Sequence, residues 1–422
     1  MEIFYIFLCI TILGLTGYGF QIWAIRTTLK EEGAGKGKEY GSEPVPFPAV
    51  SILKPLKGLD DNLFDNLESI CLQDYPEYEI IFSLQDYNDP AYKVVRKIKD
   101  KYPDKNITIL VEQCDDGLNP KVNNLIPAYR IAQYEHILIS DSNVIVDEHY
   151  LKSIVKHMAE PDVGLVSNII TGIGGRSLGS VFENLHLNSF IMGSVCFLDR
   201  FLKMPCVVGK SMLMKKADLN AIGGFKAVKD VLAEDYIIGK KMQAKAKKVI
   251  LSKHLIRNIN EYWGVRRFLN RHTRWGKLRW KIGGVSYVSE LIGNPVFMSF
   301  LPIVLYEPSR ITMSFAMFVS SLKILGDMWI GKLITRQDNW SRLHENGKLN
   351  SALSMNPLWY FFAPVKDLII GFIWFVPLIS NTVVWRGNRY IIGKDSLLSP
   401  CPESGFWSWR YRLLDAVKTR LA

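Results

Sequence analysis

The chain has 422 residues, 48% of them apolar, with 52 lysines and arginines against 41 acidic residues. A net charge of +11 would suit nucleic acid, but the apolar residues gather at the two ends. That distribution turns the surplus toward anionic headgroups and phosphorylated substrates and away from nucleic acid. The cysteines (Cys9, Cys71, Cys114, Cys196, Cys206 and Cys401) form no CxxC pair, which argues against a zinc knuckle or a disulfide scaffold and fits a reducing cytosolic face.

Ile3 to Trp23 is almost uncharged. A membrane-spanning helix needs about 20 such residues. Glu2 stands where a signal peptide would carry basic residues, and no small-x-small site follows, so the run reads as a retained anchor over 1–30. Arg26 and Lys30 then hold the following chain in the cytoplasm. Residues 31–48 (EEGAGKGKEYGSEPVPFP) read as a linker.

From Ala49 the pattern alternates between strand and helix. Val50 to Leu53 is a first strand, ended by Lys54-Pro55. Leu63, Leu67 and Ile70 recur at helical spacing, and Glu79 to Leu84 is a second strand. Asp89-Pro90 starts a helix, with the aspartate as N-cap and the proline in the first turn. Ile107 to Val111, a helix over Asn123 to Ala132, and His136 to Ile139 follow. This order predicts an α/β fold built on a parallel sheet, whose ligands gather at the strands' carboxyl ends. Asp89 and Asp141 both fall just after strands.

Past residue 285 the chain turns apolar again, over Tyr287 to Tyr306, Ile311 to Ile334 and Leu358 to Trp385. Three full crossings would leave the basic C-terminus on the wrong side, so one stretch, the third by preference, is expected to be re-entrant or interfacial. The expected division is therefore a catalytic domain over 49–285, membrane-embedded and re-entrant helices over 286–390, and a cytosolic tail over 391–422. Arg266 to Lys281 alternates basic residues with tryptophans, as an interfacial helix would.

The polar residues at the strand ends form a set. Asp89 stands in QDYNDP, Asp141 in SDSN, Asp235 in AEDY, and Arg271, Arg274 and Trp275 in RHTRW. A transferase that uses a nucleotide sugar needs such parts. One acid hydrogen-bonds base or ribose, a second helps hold a divalent cation, and a third takes the acceptor's proton. Cationic groups offset charge on the departing diphosphate. Singly, each is ordinary: an aspartate after a strand caps a turn, and Glu234-Asp235 could be a solvated pair. Four elements in this order on one scaffold carry more.

With VSILKPLKG, LQDYPEYE, QDYNDPA, NPKVNNLIPAY and GKSMLMKK, the sequence resembles the ceramide glucosyltransferases, inverting enzymes of GT-A fold with a D, D, D, (Q/R)xxRW signature. The resemblance spans nearly the whole chain, most clearly residues 49–285. It implies a UDP-sugar donor, UDP-glucose by first choice, and a ceramide-like lipid acceptor at a membrane, either a bacterial inner membrane or a Golgi membrane, with the catalytic domain on its cytosolic face. By this resemblance Asp89 and Asp141 are donor residues and Asp235 is the base. Arg271, Arg274 and Trp275 serve the diphosphate and the acceptor. Lys54 and Lys121 are added as candidate phosphate contacts, Cys206 and His186 being better read as core. One position departs from the common Asp-x-Asp: Asn143 brings no charge. A Mg²⁺ or Mn²⁺ ion would then rest on Asp141, water and the diphosphate, and bind weakly without nucleotide. A hopanoid or diacylglycerol acceptor, or an inactive scaffold, remain the alternatives.

Overall fold

Alternating apolar runs and helices build one eight-stranded sheet in a computed structural model that describes residues 2–35, 47–305, 308–336, 355–385 and 388–401. The strands are β1 (Val50–Pro55), β2 (Tyr78–Leu84), β3 (Ile107–Val111), β4 (His136–Ser140), β5 (Val144–Ile145), β6 (Val163–Gly174), β7 (Ser211–Lys215) and β8 (Lys248–Asn260). Their order is β3-β2-β1-β4-β7-β6-β8-β5. The first four are parallel, as the alternation predicts. The sheet as a whole is mixed, because β7 runs antiparallel to both β4 and β6. Its entry from the opposite end brings the segment before β7 to the place where β4 stops.

Side chains along β4 alternate. Leu138 packs into the core on one face of the sheet, Ile137 and Ile139 into the core on the other. The helix Leu63–Cys71 covers the first face with Leu63, Leu67 and Ile70, and Pro120–Ile131 covers the second with Val122, Leu125 and Ala128. That second helix begins three residues earlier than expected. Asn119 caps it through bonds from the Lys121 and Val122 amides, the device Asp89 uses before Pro90. β1 continues through Lys54 and Pro55, which pair with Phe82 and Ser83.

Among the described residues, three helices are long and apolar enough to cross a membrane: Phe4–Glu31, Arg310–Thr335 and Pro357–Ile379. The pair Val265–Ile292 and Pro295–Leu305 is bent by 71°. At 1.5 Å per residue, the 11 residues of Pro295–Leu305 reach only about 16 Å, short of a ~30 Å hydrocarbon core. The third apolar stretch ends as a helix at Ile379, and Thr382–Trp385 joins Asn388–Ile392 and Leu398–Pro400 in a small antiparallel sheet that the sequence reading lacked. This sheet packs back against the eight-stranded unit: Val231 bridges Leu397, and the Leu398 amide donates to the Asp230 carbonyl at 2.7 Å. Most of the linker and of the C-terminal tail, with Arg410, Arg412, Lys418 and Arg420, lies outside the described residues.

The Asp89 carboxylate has a structural task. It accepts from the Ala91 amide at 2.9 Å and from the Gly58 amide at 2.9 and 3.0 Å. Asp89→Ala is expected to cost about 1–2 kcal/mol of stability by removing the cap. Asp89→Asn should recover most of it in chemical unfolding, because asparagine caps equally well.

Candidate active site

The crevice is assembled around Asp141, the residue after β4. Ser140 pairs with Ser211, the first residue of β7, so Lys210 lies beside Asp141, and the Asp141 amide donates to the Lys210 carbonyl at 3.2 Å. Lys210 Nζ stands 3.0 Å from Asp141 Oδ2 and donates to Asn143 Oδ1 at 2.6 Å. On the other side, the first turn of Pro120–Ile131 presents Lys121. Its Nζ lies 2.9 Å from Asp141 Oδ1 and 2.9 Å from Glu234 Oε1, and donates to the Gly209 carbonyl at 2.9 Å. Burial alone would raise the pKa of Asp141, but Lys121 and Lys210 outweigh it and hold the group well below the usual carboxylate range. Burial likewise works against the charge on Lys121, and Asp141 with Glu234 overturns that and raises its pKa. For Lys210 burial prevails, lowering the pKa against the pull of Asp141.

Lys54, expected at the phosphates, is wholly buried on β1. Its Nζ donates to the Asp141 carbonyl at 3.0 Å and to Ser140 Oγ at 3.2 Å, and burial lowers its pKa to about 7. It fixes the backbone of the aspartate loop from beneath, because the parallel register of β1 with β4 puts it under that loop.

Asp235 opens the helix Glu234–Ala244. Its Oδ2 accepts from the Gly209 amide at 2.9 Å and its Oδ1 from the Tyr236 amide at 2.8 Å. Gly209 therefore offers its N–H to Asp235 and its carbonyl to Lys121, and so ties Asp235 to the Asp141 cluster. Burial, with the neighbouring Glu234 charge, raises the Asp235 pKa to about 6. The small C-terminal sheet braces this helix start, since the amides of Leu232 and Ala233 donate to the carbonyl and hydroxyl of Ser396 at 3.0 and 3.2 Å.

Helix Val265–Gly283 carries the RHTRW segment. Arg271, Arg274 and Trp275 fall on one stripe at helical spacing, while His272 and Arg279 fall on another. Arg271 Nε lies 3.2 Å from Glu183 Oε1, and its guanidinium carbon is 4.3 Å from the Trp275 ring centre and 5.2 Å from that of Trp263. His272 Nε2 takes the other Glu183 oxygen at 2.8 Å. Arg274 lies 5.9 Å from the Trp385 ring centre. Asp89 stands apart from this cluster, in a recess with Leu56, Lys57, Gln85, Asp86 and Asn88 at the ends of β1 and β2. His186 is core, as expected, stacked on Phe190 at 4.9 Å, and Cys206 is half-buried with its thiol pushed up to about 11 by burial.

Sequence reasoning missed Lys210, Glu183 and the linking role of Gly209. Lys210 lay in the quoted GKSMLMKK, but only the antiparallel pairing of β7 shows what it touches. Glu183 gave no local signal. The donor set does not fit a resident divalent cation. Both Asp141 oxygens are held by ammonium groups, Asn143 Oδ1 accepts from Lys210, and among the described residues no three His, Cys, Asp or Glu side chains gather to hold a metal.

The described residues thus place a charged crevice at the carboxyl ends of the sheet's parallel half, beside helices long and apolar enough to cross a membrane. Residues 6–398 match glycosyl transferase family 21, and the chain belongs to that family. It is 30% identical over 364 residues to ceramide glucosyltransferase 1 of Caenorhabditis elegans, an alignment covering 82% of this chain and 72% of that protein. Against ceramide glucosyltransferase 3 of the same organism it is 27% identical over 385 residues, or 90% and 78%. Among solved structures it is similar to a mannosyltransferase from Pyrobaculum calidifontis in complex with GDP-Man and Mn²⁺, at 18% identity and a TM-score of 0.47, over 88% of this chain and 98% of that one.

A Cβ at Gly209 would stand 2.6 Å from Asp235 Oδ2. Gly209→Ala is therefore expected to displace that carboxylate and lower kcat on the order of 100-fold. Nucleotide affinity, read by calorimetry, should change far less.

Proposed function

We propose that the protein transfers glucose from UDP-glucose to the primary hydroxyl of ceramide with inversion at the anomeric carbon. The observation that carries the reading is a carboxylate of raised pKa, Asp235, held beside a cluster of lysines where a diphosphate can be received. The curated relatives named as ceramide glucosyltransferases support the donor and the acceptor.

In this reading Asp235 takes the proton of the acceptor hydroxyl as its oxygen bonds to the anomeric carbon. The bond from that carbon to the diphosphate breaks, and its electron pair leaves with UDP. Lys210 and the RHTRW arginines stabilise that developing charge. Asp89 lines the recess for the nucleoside. No step is assigned to a metal ion, since both Asp141 oxygens already face ammonium groups.

Helix Val265–Gly283 lies along the cytosolic membrane surface and keeps the acceptor's chains in lipid. Arg26 and Lys30 at the end of the anchor support that orientation. The contact between residues 230–233 and 396–398 requires both to be on one side of the membrane. An even number of crossings then separates the catalytic domain from the small sheet.

Two outcomes test the reading. Asp235→Asn should abolish transfer in a radiolabelled lipid assay and still bind UDP-glucose; retained turnover would remove Asp235 as the base. Because the base acts ionised, turnover should fall as pH drops through about 6, the value to which burial raises this group. A profile flat down to pH 4 would contradict it.

A further inference from the structure

Carboxylates at both positions 141 and 143 would leave between them a space suited to a divalent cation. Here that space is filled. Lys210 Nζ sits between Asp141 Oδ2, at 3.0 Å, and Asn143 Oδ1, at 2.6 Å, the first and third positions of Asp141-Ser142-Asn143. We propose that Lys210 is a built-in cation that replaces the divalent metal ion facing the donor diphosphate, an inference that rests on the UDP-sugar reading above.

Charge balance supports it. Two carboxylates balance one divalent cation; here Asp141, with Glu234 sharing Lys121, balances the ammonium groups of Lys121 and Lys210. Asn143 in place of a second acid is the change that the substitution of a lysine for a metal requires. A second aspartate there would leave the lysine over-neutralised and without positive potential for a phosphate oxygen.

Hydrogen-bond counting agrees. An ammonium has three N–H groups. Lys121 spends its three on Asp141, Glu234 and the Gly209 carbonyl. Lys210 spends two, on Asp141 and Asn143, and keeps one for a ligand. Its position is also fixed. The backbone enters β7 at the next residue, the Lys210 carbonyl accepts from the Asp141 amide, and only 16% of the side chain is exposed. A preset cation of this kind loses little entropy on meeting a diphosphate and needs no ion from solution.

A metal would have to compete with it. Mg²⁺ binds oxygen at about 2.0–2.1 Å, so an ion on Asp141 would have to share a carboxylate oxygen with an ammonium group whose charge repels it. Those contacts are charge-assisted and largely shielded from water, where they are strong.

The test uses the full-length protein in detergent, with UDP as the probe. Calorimetric affinity for UDP should be the same in EDTA as in Mn²⁺. Lys210→Met should weaken UDP binding on the order of 10- to 100-fold, the worth of one charged hydrogen bond, and Lys210→Arg should keep binding resistant to EDTA. The double variant Lys210→Met/Asn143→Asp, which rebuilds the acid pair without the lysine, should bind UDP in Mn²⁺ and lose it in EDTA. Wild-type binding that collapses in EDTA and returns with Mn²⁺ would overturn the inference and leave the donor assignment standing. Absence of UDP binding under both conditions would overturn the donor assignment and this inference together.

Discussion

The crevice depends on one carboxylate. Asp141 is held by two lysines that arrive from opposite directions, Lys121 from a helix start and Lys210 from the approach to β7. Each lysine reaches onward, to Glu234 and the Gly209 carbonyl on one side and to Asn143 on the other. Burying these charges is tolerable only because each has its partner. Removing one member of such a cluster typically costs about 3–5 kcal/mol, since an unpaired charge stays behind. Asp235 belongs to the same web through the amide of Gly209 and keeps a raised pKa because it is buried, with the Glu234 charge adding to the effect. One acid is thus locked ionised and the other poised to titrate, by environment alone.

The membrane helices and the catalytic sheet are joined at this web. Helix Val265–Gly283 sets Arg271, Arg274 and Trp275 on one stripe and forms most of the first arm of the bent pair that continues into Pro295–Leu305. Buried Glu183 grips both Arg271 and His272, so the orientation of that helix is tied to the core below it. The small sheet at residues 382–400 returns from the last apolar helix to brace the start of the Asp235 helix. The position of Asp235 is therefore set partly by the chain that returns from the last apolar helix.

Much of this was legible in the sequence where the signal is local. Asp89-Pro90 and Asn119-Pro120 announce helix starts through capping chemistry. His136 to Ile139 is a strand because its alternating side chains face two cores. The expected role of Lys54 failed because strand β1 runs on through it, and its side chain turns under the aspartate loop. β8 was missed because Arg257, Asn258 and Asn260 are buried along it, which breaks the apolar alternation a half-buried strand shows. Lys210 was missed because its meaning is topological: only an antiparallel strand beside β4 brings it to Asp141. The departure at Asn143 was visible from the start, and the lysine that explains it was not.

The most direct measurement of the central claim is the anomeric configuration of the product. Purified protein given UDP-glucose and ceramide should yield a β-linked glucosylceramide, since the single displacement proposed for Asp235 would invert the α-linked donor. An α-linked product, or UDP release that does not depend on ceramide, would contradict the account.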